Sequence, residues 1–149
     1  MTLTVRIFLA ILFLDSLVVG AWNAISPASF YQYFPTVDLT PPFSKHYARD
    51  FGGATLAIAL LLGIGVAMPR AHFVIPAALA YSTFSVPHFF YHLANLENAT
   101  LGEAILLTTG NAAVALLGLV IVLLIVLRDR RAHHGGLRPS LITAGGRKP

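Results

Sequence analysis

Residues 54–84, ATLAIALLLGIGVAMPRAHFVIPAALAYSTF, contain two long apolar runs interrupted only at Met68, Pro69 and Arg70, and that interruption decides the fold. With their flanks the runs extend over about 44–68 and 71–95, near the roughly 20 residues a helix needs to cross about 30 Å of hydrocarbon. A turn around Pro69 and Arg70 is too short to hold another element. The two spans must therefore form a tight antiparallel hairpin.

Two further apolar stretches lie to either side, at about 3–24 and 101–127. The expected fold is all-α, a bundle of four transmembrane helices over residues 1–128. Composition agrees: 149 residues with 56% hydrophobic, 11% charged and a mean hydropathy of +0.75 are too apolar for an ordinary water-soluble domain. The segment SPASFYQYFPTVDLTPPF (26–43) is rich in Pro and aromatics and cannot be a fifth span. Trp22, Phe30, Tyr31, Tyr33 and Phe34 suit the headgroup zone, so this loop is expected to lie on the membrane surface. Arg6 before an apolar run, with a small-x-small site between Ala21 and Ala24, has the marks of a signal peptide. The run is long for one and contains Asp15, so it is read as a span.

The net charge of +4 does not indicate nucleic acid, because the basic residues form no stripe and sit at span ends and in the tail. Arg6, Arg70, Arg128, Arg130, Arg131, Arg138, Arg147 and Lys148 fall on one side of a four-span arrangement, against Lys45 and Arg49 on the other. The positive-inside rule then puts both termini in the cytoplasm of a multi-pass plasma-membrane protein. Residues 129–149 read as a basic, irregular tail held near anionic lipid headgroups, with His133 and His134 as weak metal ligands at most. There is no cysteine, which excludes disulfides, thiolate metal sites and thiol redox chemistry.

Ionisable residues inside the spans are costly in hydrocarbon and mark the candidate site. The second span carries His46, Arg49 and Asp50 in its first turns, and the third carries Ser85, His88, Tyr91 and His92 in its last turns. Glu103 and Asn111 enter from the same side in the fourth, and Asp15 lies deeper in the first. At about 1.5 Å per residue, Asp50 and His88 sit roughly 10 Å below the outer surface. Residues three, four or seven apart share a helix face, which groups His46, Asp50 and Gly53 on one stripe and Tyr81, Ser85, His88 and His92 on another. The expectation is one buried cluster, with Arg49 paired to Asp15 or Glu103. Gly52, Gly53, Gly63 and Gly65 are read as points of close helix approach. Pro87 deprives the Thr83 carbonyl of its amide partner and is expected to leave it free inside the site.

Three chemistries fit such a cluster. It can fix helix packing, hold a small molecule such as a lipid or quinone headgroup, or relay protons. His46, Asp50, His88 and His92 together would also suit a divalent metal, and one histidine from each helix would suit the axial positions of a haem. No cofactor is the leading expectation. HFFYH (88–92) lacks the Glu of a zincin helix, and no nucleophile elbow or phosphate loop is present, so no catalytic residue is assigned. The sequence reads as an accessory or small-ligand-binding membrane protein rather than an enzyme. A metal- or haem-dependent redox protein and a small oligomeric proton-coupled transporter are the alternatives. Its partners would be the lipid bilayer and a homo-oligomer or larger membrane complex.

HYARDFGGATLAIALLLGIGVA (46–67), a short basic turn and a third helix ending PHFFYHL (87–93) resemble uncharacterised small four-helix membrane proteins of actinobacterial type. More loosely the chain is similar to the DoxX-like group, in which an Arg followed by a GG pair opens the second helix. The likeness covers about residues 3–128 and rests on Arg49, Asp50, Gly52, Gly53, Pro87, His88 and His92. It implies a four-helix bundle in the plasma membrane and brings no settled activity. Redox and stress functions connected with DoxX-like members would have to operate here without a thiol.

Overall fold

A computed structural model describes residues 2–39 and 42–135, with side chains described as far as Ala132. The helices are α1 (Thr2–Ile25), α2 (Pro27–Tyr33), α3 (Lys45–Ala67), α4 (Ala71–Ala94) and α5 (Leu101–Gly135), with a 3-10 turn at Val37–Leu39. α1, α3, α4 and α5 are each long and apolar enough to cross a membrane. The protein is an all-α membrane-spanning bundle, in which helices satisfy every backbone group that lipid would leave without a partner. α5 continues past Leu127 through Arg128 to Gly135, so the expected irregular tail begins as helix. Three Arg and one Ala, strong helix formers, make up half of this stretch. Residues 136–149, and the side chains of His133 and His134, lie outside the described residues.

Both ends of the bundle are secured by local hydrogen bonds. At the end that carries the α1–α3 loop, Ser44 Oγ accepts from the Tyr47 amide at 3.4 Å. Thr100 and Glu103 form a capping box, in which the Thr100 amide and hydroxyl donate to Glu103 Oε2 at 2.8 and 2.7 Å. At the opposite end the last carbonyls of α3 have no partner in their own helix. Arg6 of α1 donates to the Val66 and Ala67 carbonyls at 3.1 and 3.2 Å, and Arg128 of α5 donates to Pro69 at 2.8 Å. Two of the basic residues that suggested an orientation thus also fasten α1 and α5 to the α3–α4 turn.

α1 packs chiefly on α3 and α4 on α5, and the two pairs join along α3–α4 and, more lightly, α1–α5. Glycine makes the first crossing possible. A Cβ on Gly52 would stand 2.5 Å from Ala24 N and 2.8 Å from Gly20 O, so the backbones of α1 and α3 are in contact there. Gly63 and Gly65 meet the side chains of Phe13 and Leu9, whereas Gly53, expected to do likewise, faces open space.

The core lies in the half nearest the α3–α4 turn. Val5, Leu9 and Leu12 of α1 meet Leu62 of α3, Val74, Ala77, Ala78 and Tyr81 of α4, and Ile121 and Ile125 of α5. α1 supplies three of these buried residues, which makes it a working member of the bundle. Large residues on the outer faces, among them Ile7, Ile11, Leu60, Leu79, Leu116 and Leu123, are exposed as a lipid-facing surface requires. Beyond Tyr81 α1 and α3 stay in contact at Gly20 and Gly52, while the two helix pairs separate from each other.

A candidate ligand-binding cavity

The space between the separated helices is a cavity of about 910 Å³, bounded by all four long helices, α2 and the following loop. Its floor is the level of Asp15 and Tyr81, where the apolar core ends. The Tyr81 hydroxyl donates to Asp15 Oδ2 at 3.2 Å, joining α4 to α1. About ten residues separate Asp15 from the end of α1, which puts the carboxylate roughly 15 Å below that end of the helix. Among the described residues Asp15 has no basic partner.

Aromatic rings form much of the wall. Phe51 of α3 lies 5.5 Å from Phe84 of α4, Phe84 stacks on His88 at 4.9 Å, and His88 meets His92 edge-on at 4.4 Å. The i, i+4 spacing of Phe84, His88 and His92 puts all three on one face of α4, as the sequence stripe implies. His92 Nδ1 is shielded from solvent and has no hydrogen-bond partner among the described residues. Ser16, Asn23, Thr36, Tyr47, Thr55, Tyr91 and Asn111 add further polar groups to the lining, and the Asn111 amide donates to its own helix at Leu107 O.

The α1–α3 loop borders the mouth of the cavity. Pro27 in the first turn starts α2 without the loss of a needed donor. Trp22 Nε1 donates to Ser29 Oγ at 3.1 Å, and its indole packs edge-on against Phe30 at 5.6 Å, with Phe34 stacked on Phe30 at 4.6 Å. Phe30 and Phe34 therefore line the cavity instead of anchoring the loop among headgroups; the ring of Tyr33 remains exposed. Asn98 ties the loop to the α4–α5 connection through Leu39 O at 3.3 Å.

The expected single cluster divides. His46 Nε2 and Asp50 Oδ2 are 3.2 Å apart, but these side chains are 84% and 65% exposed and neither lines the cavity. Arg49 is exposed and pairs with neither Asp15 nor Glu103. Glu103 is engaged in its capping box. The physical reason is depth: the first turns of α3 lie where water and headgroups solvate charge, so nothing drives these groups inward. Asp15, His88, Tyr91, His92 and Asn111 do share the cavity. Ser85 is buried, its hydroxyl has no hydrogen-bond partner among the described residues, and it lies outside the lining. Pro87 and Thr83 are on the exposed face of α4, so the carbonyl that the proline frees is on the outer side, not in the site.

His46 and Asp50 do not join His88 and His92, and no group of three or more metal-ligating side chains forms among the described residues. The four-residue metal set is thereby corrected, as is a haem held between His46 and a histidine of α4. Tyr81, the partner of Asp15, was absent from the expected site although it stands on the same stripe as His88 and His92. The phenylalanine walls left no mark in the sequence, because Phe is as common facing lipid as facing a cavity. No known family matches the chain, and no curated protein and no solved structure is similar to it.

Proposed function

We propose that the protein binds a small amphipathic molecule inside the bundle, between its two helix pairs. The observation that carries this reading is the cavity: about 910 Å³ of space walled by aromatic rings, with a few polar groups at set heights. Small-molecule sites have this make-up, a mostly apolar enclosure in which a small number of polar atoms fix orientation. A bundle stabilised by packing alone would fill such a volume with side chains, as this one does in its other half. The headgroup of a membrane lipid or quinone has the required mixed character.

Gly110 offers a direct test. It lines the cavity, and a Cβ there meets nothing within 4 Å. Gly110→Trp is expected to weaken saturable binding of the neutral dye Nile red to detergent-purified protein at least about tenfold, a loss near 1.4 kcal/mol. The thermal unfolding midpoint should stay where it is. Unchanged dye binding in a folded Gly110→Trp variant, or no saturable binding by the wild type, would remove the cavity as the site.

The reading includes a location and an orientation: the plasma membrane, with both termini cytoplasmic. Arg6, Arg70 and Arg128 at one end, against Lys45 and Arg49 at the other, support it through the positive-inside rule. The basic end then meets anionic headgroups, and the cavity opens toward the other side. Compartment-specific reporters fused at residue 36 and at the C-terminus are expected to report opposite sides; agreement between them would reject a four-span topology.

A further inference from the structure

The lining of the cavity has an unbalanced charge. Among the described residues Asp15 is the acidic one in it, and none of the described lysines and arginines is part of it. The hydrogen bond from Tyr81 reaches one of the two carboxylate oxygens and brings no charge. The basic residues nearest in sequence are engaged elsewhere: Arg6 lies on the carbonyls of α3 at the opposite end of the bundle. A carboxylate at this depth costs several kcal/mol unless it is paired, so an acid placed there takes up either a proton or a cationic partner. Within the protein that partner is absent among the described residues.

The surrounding walls favour the same sign. Four phenylalanines and three tyrosines line the cavity. An aromatic face carries negative electrostatic potential and attracts a cation lying within about 6 Å of the ring centre, most strongly where water is excluded. The two histidines of the lining are neutral at mildly basic pH, so they oppose neither effect there. An aromatic-walled cavity, open at one end, with one acidic group at its floor complements a positively charged molecule with apolar substituents and disfavours the anion of equal size.

We infer that the cavity selects lipophilic organic cations, with Asp15 as the counter-charge and the aromatic walls as the surface on which the substituents pack. This rests on the cavity being a ligand site and adds the chemical class that it takes. The volume accommodates a molecule of several rings. Tyr81 is a positioning residue, since its hydroxyl holds one carboxylate oxygen and leaves the other for the ligand.

Two ions of nearly equal size and opposite charge test the inference, tetraphenylphosphonium and tetraphenylborate. Each is titrated against Nile red bound to the detergent-purified full chain at pH 8. The wild type is expected to release the dye to the cation at a concentration at least tenfold below that needed for the anion. Asp15→Asn, measured in the same micelles so that partition into detergent cancels, should bring the two ions within about threefold while it still binds the dye. Asp15→Glu should restore the preference. If wild type and Asp15→Asn show the same ratio of the two ions while both bind Nile red, the inference is overturned and the cavity reading stands. If Nile red does not bind saturably to folded wild-type protein, both fall.

Discussion

Gly52→Leu is expected to lower the stability of the bundle by about 3 kcal/mol or more, an effect at the upper end of what overpacking produces. The expectation follows from which atoms occupy the space. A Cβ at position 52 would meet Ala24 N at 2.5 Å and Gly20 O at 2.8 Å, and both are backbone atoms. A crowded side chain can rotate, but here relief requires α1 and α3 to move apart along their whole crossing. The adjacent residue gives the control. Gly53 faces open space, so Gly53→Ala adds no clash and removes the conformational freedom that makes glycine unfavourable in a helix, a gain of up to about 1 kcal/mol. Trp22, the one tryptophan of the chain, lies near the Gly20–Gly52 crossing, and its fluorescence during thermal unfolding in detergent reads both variants. Equal midpoints for Gly52→Leu and Gly53→Ala would mean that the helices do not touch at this crossing.

The contrast between these neighbours also marks what the sequence can convey. Apolar length puts the ends of the four long helices within about two residues, except at the end of α5, because the cost of leaving backbone groups in lipid acts on every residue of such a stretch. Rotation of each helix about its axis is set by a few contacts. GG at 52 and 53 announces a close approach, but only the fold decides that Gly52 makes it.

The same limit applies to the site. Asp15 and the pair His88 and His92 were recognisable from their depth and spacing, and they do share a cavity. His46, Arg49 and Asp50 enter the bundle from the same side, yet they do not converge with the others. Sharing a side of the membrane is not sharing a face. The first turns of α3 are shallow enough for water to solvate their charges, so the argument that lipid drives polar groups together has force at Asp15 and little at Asp50. Glu103 was misassigned for a different reason, since Thr100-x-x-Glu103 is a capping box legible in the sequence itself.

Tyr81→Ala is expected to cost about 3 kcal/mol, at the low end for loss of a buried aromatic ring because lipid, unlike water, is not expelled by packing. Tyr81 is 2% exposed and belongs to the core, its ring lies beside Gly118 of α5, and its hydroxyl reaches Asp15 of α1. One side chain of α4 thus connects three helices at the level where the core ends and the cavity begins. Tyr81→Phe keeps the ring and removes only the donor, so it should cost about 1 kcal/mol, the usual worth of a hydrogen bond between membrane helices. A double-mutant cycle with Asp15→Ala, which leaves no acceptor, would isolate that bond, with an expected coupling below about 2 kcal/mol. If Tyr81→Phe proves as damaging as Tyr81→Ala, the floor of the cavity is held by the polar contact rather than by the ring. The core would then end below Tyr81, and the boundary between packed bundle and ligand site would have to be redrawn one helical turn deeper.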